Sequence, residues 1–451
     1  MEANSDSQAQ PQEEQQYERP EDEGKLDDRA YDSEGPSAID KQYAAQTGTP
    51  RRVHILGATG SIGKLVAHSL RGIPNPPPVT LLLHRYKLIQ AWEQSRKCVT
   101  LEDDGHETAR QGFNVELMPE RRMQHDVEFG FNEPGAYDMG ENLRPHEAAQ
   151  MIKDRRGTES DVRKGNEKDM EKDGLITKVP GLKGDKYMSD EPIHNLIVTV
   201  KAARTLQALN TIKHRILPTS TICFLQNGMG VVDDVNKQVF PDEASRPHYM
   251  QGILTHGANV PPAKAEQDPF YVVHAGHGTI ALGLVPPKRS SSSSDTDSAT
   301  KEAQNKMAPS SRYLFRTLTR SPVLCAVGFT PTELLQQQLE KLAVNSVINP
   351  LTALIDNRNG ALLYNFAFTR TIRLLLAETS HVIRSLPELQ GIPNVGIRFS
   401  PERLEGLVVK LATTTKDNIS SMLADVRAGR KTEIEYINGY IVRRGEELGV
   451  K

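Results

Sequence analysis

The chain has 451 residues, with 55 Lys and Arg against 58 Asp and Glu, and three widely spaced cysteines, Cys98, Cys223 and Cys325. That length accommodates two or three domains with a sizeable core, and a net charge of −3 gives no general pull toward nucleic acid or a membrane surface. No apolar run nears the ~18 residues of a membrane helix, the N-terminus lacks the features of a presequence, and three isolated thiols suit a reducing, cytoplasmic setting.

Residues 1–50 are rich in Gln, Glu, Asp and Pro with almost no large apolar side chains, so a disordered acidic tail is expected. The fold should start at Val53. VHIL reads as a buried strand, GATGSIG as a turn, and SIGKLVAHSL as a helix with Ile62, Leu65, Val66 and Leu70 on its apolar face. Strand, glycine turn and helix in that order make a dinucleotide-binding unit. Glycines let the backbone approach a pyrophosphate, and the helix N-terminus supplies donors and partial positive charge. Gly57, Gly60 and Gly63, with Ser61 and Ile62, are the candidate cradle, spaced G-x-x-G-x-x-G. The next strand, VTLLLHR, ends in His84 and Arg85 with Lys87 beyond, where NAD-binding folds carry a ribose-holding acid. A carboxylate would repel a 2′-phosphate and Arg85 can grip one, so NADP(H) is expected over NAD(H).

Residues 119–190 are highly charged without periodicity and read as a solvated insertion. IHNLIVTVKA and TICFLQNGMG read as parallel strands that deliver Lys201 and Asn227 to the crevice side of a sheet. In ILTHGANV, His256 reads better as a hydrogen-bonded structural histidine than as a catalytic one. His274 and His277 have loose ligand spacing but no third ligand or acidic companion nearby in the sequence, so no metal site is expected. TIALGLV should close a first domain over residues 51–286, with a Ser-rich low-complexity linker at 287–311 and a helical domain over 312–451.

Helical spacing dominates from Thr332. Within KLAVNSVINPLTAL, Lys341, Asn345 and Asn349 fall at i, i+4 and i+8, on one face able to line a cleft, and Pro350 should kink the helix. Asn359 follows in the turn DNRNG. In DNISSMLADVR, Asn418 and Ser421 are expected one helical turn apart, where amide and hydroxyl donors can hold a carboxylate. Thr432 and Glu435 read as a capping box opening the last helix, with Glu433 ionised in its first turn.

KLAVNSVINPLTAL, together with VKA at 200–202, QNGMG at 226–230 and NISSMLADVRAGRKTEIEYINGY at 418–440, resembles the ketopantoate reductases (2-dehydropantoate 2-reductases), over about residues 52–450 with insertions. The resemblance implies an α/β N-terminal Rossmann-type dinucleotide-binding domain and an all-α C-terminal domain like that of 6-phosphogluconate dehydrogenase. It implies NADPH-dependent reduction of 2-dehydropantoate to pantoate, a precursor of pantothenate and coenzyme A, with Lys341 as proton donor. Asn345, Asn349, Asn359, Asn418, Ser421 and Glu433 would contact the substrate. Gly57, Gly60, Ser61, Ile62, Gly63, Arg85, Lys201, Asn227, Ala258 and Glu433 would contact the cofactor. The implied partners are a small 2-keto acid and, as a homodimer, a second copy of the chain, with no nucleic acid, membrane or metal.

The glycine spacing departs from the G-x-G-x-x-G usual in that family. Family members also usually continue past EELGVK with another helix, and without it a weaker second domain is expected. A short-chain dehydrogenase would need Tyr-x-x-x-Lys, and no tyrosine here has Lys four residues later. A reductase of another 2-keto acid and a non-catalytic NADPH-binding regulatory homologue stay open as alternatives.

Overall fold

The computed structural model describes residues 38–118, 184–286 and 307–450. The tail before Ala38, most of the charged insertion and most of the Ser-rich linker lie outside the described residues. The strands among them are β1 (Val53–Leu56), β2 (Val79–Leu83), β3 (Val99–Asp103), β4 (His106–Arg110), β5 (Phe113–Leu117), β6 (Ile193–Val198), β7 (Ile216–Phe224), β8 (His248–Leu254), β9 (Gly257–Asn259), β10 (Tyr271–Gly276), β11 (Ile280–Val285) and β12 (Ala326–Gly328).

VHIL and VTLLL become β1 and β2, buried at every residue. Such unbroken apolar runs mark strands covered on both faces. The main sheet runs β12-β11-β8-β7-β6-β1-β2-β5, parallel except where β11 meets β8. Strand order reverses at β1, between β2 and β6, so the crevice opens at the carboxyl ends of those strands. Lys201 and Asn227 each lie just beyond such an end, after Val198 and Phe224. A second sheet, β4-β3-β10-β9, faces the Ser61–Arg71 helix. Leu65, Val66 and Leu70 pack there in one core with Val99, Leu101, Phe270 and Val272.

Two expected boundaries move. Within the expected tail, Ala38–Thr47 is a helix, fixed by an Asp40–Arg51 ion pair at 3.0 Å and by Tyr43 against Tyr313 at 5.3 Å between ring centroids. The helical domain begins at Pro331 rather than at 312. The preceding helix, Pro309–Thr319, buries Tyr313, Leu314 and Leu318 in the core of the sheet domain, and β12 pairs with β11. Ser310 and Ser311 on that helix both bond the buried Thr221 hydroxyl of β7 at 2.8 Å.

The signature stretch lies in helix Pro331–Leu354, opened by a capping box in which Thr330 and Glu333 satisfy each other's backbone amides. The helix continues through Pro350 to Leu354. Leu339, Ala343 and Val347 anchor a separate core with Leu376, Phe399, Leu404 and Val408.

The two domains exchange side chains where they meet. Met229 of the QNGMG loop sits in the helical core, and Tyr436 of the last helix sits in a core beneath the sheet. The Met229 N–H donates to the Tyr436 carbonyl at 2.8 Å. Gly228, at φ +82, has room for no side chain, since a Cβ would lie 2.5 Å from that same carbonyl.

Candidate active site

The crevice side is built by the turn after β1. Gly57 adopts φ +93, and a Cβ there would lie 2.6 Å from the Val200 nitrogen. A Cβ on Gly63 would lie 2.2 Å from the Gly57 carbonyl oxygen, so glycine is what lets the helix sit down on the strand. Gly60 is the N-cap and has no side chain to satisfy the first-turn amides, which include those of Ser61, Ile62 and Gly63, and no acid stands in that turn. Orphaned N–H groups at an uncapped, acid-free helix start fit a pyrophosphate. Arg85, exposed just past β2, is the N-cap of helix Tyr86–Gln94, and no acid replaces it. These residues fit a nicotinamide dinucleotide.

The catalytic side is built by the signature helix. The Lys341 ammonium donates to the Asn227 side-chain oxygen at 2.9 Å and to the Leu254 carbonyl at 2.6 Å. The Asn227 amide in turn donates to Glu433 at 3.2 Å, and the other Glu433 oxygen accepts from the Ala202 N–H at 3.2 Å. One asparagine thus links a cation and a buried carboxylate, both delivered by the helical domain, to the strand ends of the sheet domain. Burial lowers the Lys341 pKa from 10.5 to about 8, with Glu433 pulling the other way. The desolvation wins, so the ammonium is poised near working pH.

Lys341 opens onto a cleft lined also by Gln226, Asn227, Gly252, Gln338 and Asn345. Gln226, Gln338 and Gly252 were not singled out from the sequence. Gln338 was findable, because it lies one turn before Lys341 on the face that carries Asn345.

The other expected site residues are dispersed. Asn349 is buried farther along the helix and does not line this cleft. Asn359 ties its turn to the 415–418 segment, bonding the Asn418 carbonyl at 3.0 Å and the Thr415 hydroxyl at 2.9 Å. Its side-chain oxygen is buried without a partner. Asn418 is not helical. The helix starts at Ser421, because the Ser420 hydroxyl caps the Leu423 N–H at 3.1 Å, so Asn418 and Ser421 do not share a helical face. Thr432 and Glu435 form no capping box. The last helix starts at Ile434 with Glu433 as N-cap, and that carboxylate reaches across to the sheet domain instead of back to its own helix.

Lys201 ion-pairs with Asp425 of the helical domain, which also accepts from Arg430 at 3.1 Å. Asp425 is 3% exposed and gave no signal inside LADVR. Ala258 lies half-buried in β9, paired with His274. His256 uses both ring nitrogens, toward the Leu324 carbonyl and His274, each at 3.0 Å. The sequence offered His274 and His277 no acidic companion. The fold supplies one, Asp103 at the end of β3, 2.7 Å from His277.

A Rossmann-type sheet whose crevice meets a lysine brought by a helical second domain defines a class of two-domain oxidoreductases. Residues 143–287 match the family described as ketopantoate reductase PanE/ApbA, and residues 333–451 match its C-terminal domain. The chain belongs to the ketopantoate reductase family. A Schizosaccharomyces pombe protein described as "Probable 2-dehydropantoate 2-reductase" is 31% identical over 57% of this chain and 70% of its own length. A ketoisovalerate reductase of Beauveria bassiana is 24% identical over 94% of this chain and 84% of its own length. Among solved structures, D-mandelate dehydrogenase with NADH and anilino(oxo)acetate superposes with a TM-score of 0.54 at 17% identity, covering 89% of this chain and 93% of that one. This last likeness is one of fold. The glycine turn Gly57–Gly63 lies outside both spans matched by the family.

Proposed function

We propose that this chain reduces 2-dehydropantoate to pantoate, using NADPH. The observation that carries the reading is the Lys341 ammonium, fixed by Asn227 and the Leu254 carbonyl at the wall of a small cleft between the domains. Gly57, Gly60, Ser61, Ile62, Gly63 and Arg85 would hold NADPH, which when bound would supply the hydride for the keto carbon. An ammonium has three donors, and Lys341 spends two on the protein. The third is free for the ketone oxygen, where it stabilises the growing negative charge and then delivers the proton. Solvent returns a proton to the neutral amine. Glu433 keeps Asn227 oriented and opposes early loss of that proton. Asn345 lines the same cleft and is assigned to the substrate. Asn349, Asn359, Asn418 and Ser421 stay in the proposal as substrate contacts, and Lys201 and Ala258 as cofactor contacts. These six rest on family resemblance.

The fungal ketoisovalerate reductase, which matches nearly the full chain, supports a second substrate. Ketoisovalerate lacks the 4-hydroxyl and one methyl of 2-dehydropantoate. A site built to bond a hydroxyl rejects the analogue lacking it by up to about 10⁴–10⁵-fold, whereas a methyl is worth only about 10–200-fold. NADPH oxidation measured with both keto acids decides. Preference for 2-dehydropantoate supports the first reading and preference for ketoisovalerate the second. Cofactor binding with no turnover of either overturns both.

A further inference from the structure

We propose that Asp103, His274 and His277 form a zinc site in the small sheet, distinct from the Lys341 cleft. Asp103 ends β3, and His274 pairs directly with it in the parallel β3–β10 ladder, so their side chains share one face. His277 follows in the loop that leaves β10. One nitrogen from each histidine and one Asp103 oxygen lie within 4.8 Å of one another, the one such group of potential ligands among the described residues.

The hydrogen bonds fix which nitrogen of His274 is bare. His256 Nε2 faces the Leu324 carbonyl and must donate to it, which leaves its Nδ1 as an acceptor. That Nδ1 receives the Gly278 N–H at 3.1 Å and faces His274 Nε2 at 3.0 Å, so His274 carries its hydrogen on Nε2. His274 Nδ1 is therefore a lone pair, buried and without a hydrogen-bond partner, aimed at an Asp103 carboxylate oxygen 3.5 Å away. Two electron-rich atoms so placed need a cation between them. A divalent metal binds a neutral imidazole through such a lone pair.

The spacing suits zinc. Ligand atoms bound tetrahedrally at 2.0–2.2 Å lie roughly 3.3–3.6 Å apart. The His274–Asp103 separation already falls in that range. His277, with its side chain 62% exposed, is free to turn the remaining distance. Two imidazoles and a carboxylate are a borderline donor set that zinc accepts, with its fourth position open to water. The chain from His274 to His256 to Leu324 is the outer shell such a ligand requires, holding the ring in the tautomer that binds metal.

The test uses the full-length protein without a histidine tag, stripped with EDTA and titrated with Zn²⁺ by calorimetry. Binding of one zinc per chain is expected. His277→Ala and Asp103→Asn change partly exposed side chains, and circular dichroism would confirm that both variants fold. Each should weaken zinc by more than the about 10–100-fold that losing an outer-shell partner costs. The proposal is overturned if the wild type takes up no stoichiometric zinc. It is equally overturned if both variants bind as tightly as wild type, which would place the metal elsewhere, such as at the exposed Cys325.

Discussion

Replacing Lys341 with methionine separates the two consequences of burying an ammonium. In the folded chain its pKa falls from 10.5 to about 8. At 1.36 kcal/mol per unit, that shift corresponds to about 3 kcal/mol of strain carried by the protonated form. The sign follows from proton counts. Between the folded and unfolded values the unfolded chain holds the extra proton, so stability rises with pH in that window. The cost is fully present below pH 8 and disappears as pH approaches 10.5. The thioether of Lys341→Met has no proton to lose, although the substitution strands the Leu254 carbonyl and the Asn227 oxygen at ~1–3 kcal/mol each. The assay is urea unfolding of wild type and Lys341→Met across that range. Other groups titrate alike in both proteins, so their difference should grow by about 3 kcal/mol in favour of wild type. In parallel, wild-type kcat/KM should fall above pH 8 as the proton donor empties. Lys341→Met should lose ~10²–10⁴ in rate and show no such limb. A stability difference that stays flat with pH refutes the buried-ammonium argument, and turnover at the wild-type rate refutes the proton-donor role.

Asn227→Ala cuts the link between Lys341 and Glu433. With charge-assisted bonds worth about 1.5–3 kcal/mol, kcat/KM should drop about 10–100-fold, read by steady-state kinetics, and the melting temperature should fall by roughly several degrees because two charged groups each lose a partner. Arg85→Ala should raise the KM for NADPH about tenfold or more and leave that for NADH unchanged. Equal shifts for both cofactors would remove the 2′-phosphate assignment. Gly63→Ala forces a Cβ to within 2.2 Å of the Gly57 carbonyl oxygen. The helix must lift, costing about 1–3 kcal/mol of stability and weakening NADPH binding in a fluorescence titration.

The sheet domain was legible where chemistry and local pattern coincide. VHIL, the glycine turn and VTLLL each declare their conformation within a few residues. The small sheet was not. HETAR in β4 is exposed at every position and carries no apolar alternation, so only its pairing partners make it a strand. The signature helix face predicted Lys341 and Asn345 in one cleft, because helical periodicity is local. It could not show that Glu433 abandons its own helix for Asn227, since that bond spans 206 residues of chain. Asp103 eluded the search for a third ligand for the same reason. It lies 174 residues before His277, and sheet register alone brings it beside His274. At the 418–421 segment the Ser420 cap starts the helix only at Ser421, a choice among adjacent polar residues that helical spacing alone does not settle, so Asn418 lies outside it.

The reciprocal insertion of Met229 and Tyr436 limits how this scaffold can be recombined. Cutting at Pro331 to graft a foreign helical module would leave an apolar socket on each side and an unanswered amide at Met229. Gly228 admits no bulkier filler to mend the seam. Chimeras that exchange substrate pockets should therefore carry the 226–230 loop together with the 433–440 helix start as a single heritable cassette.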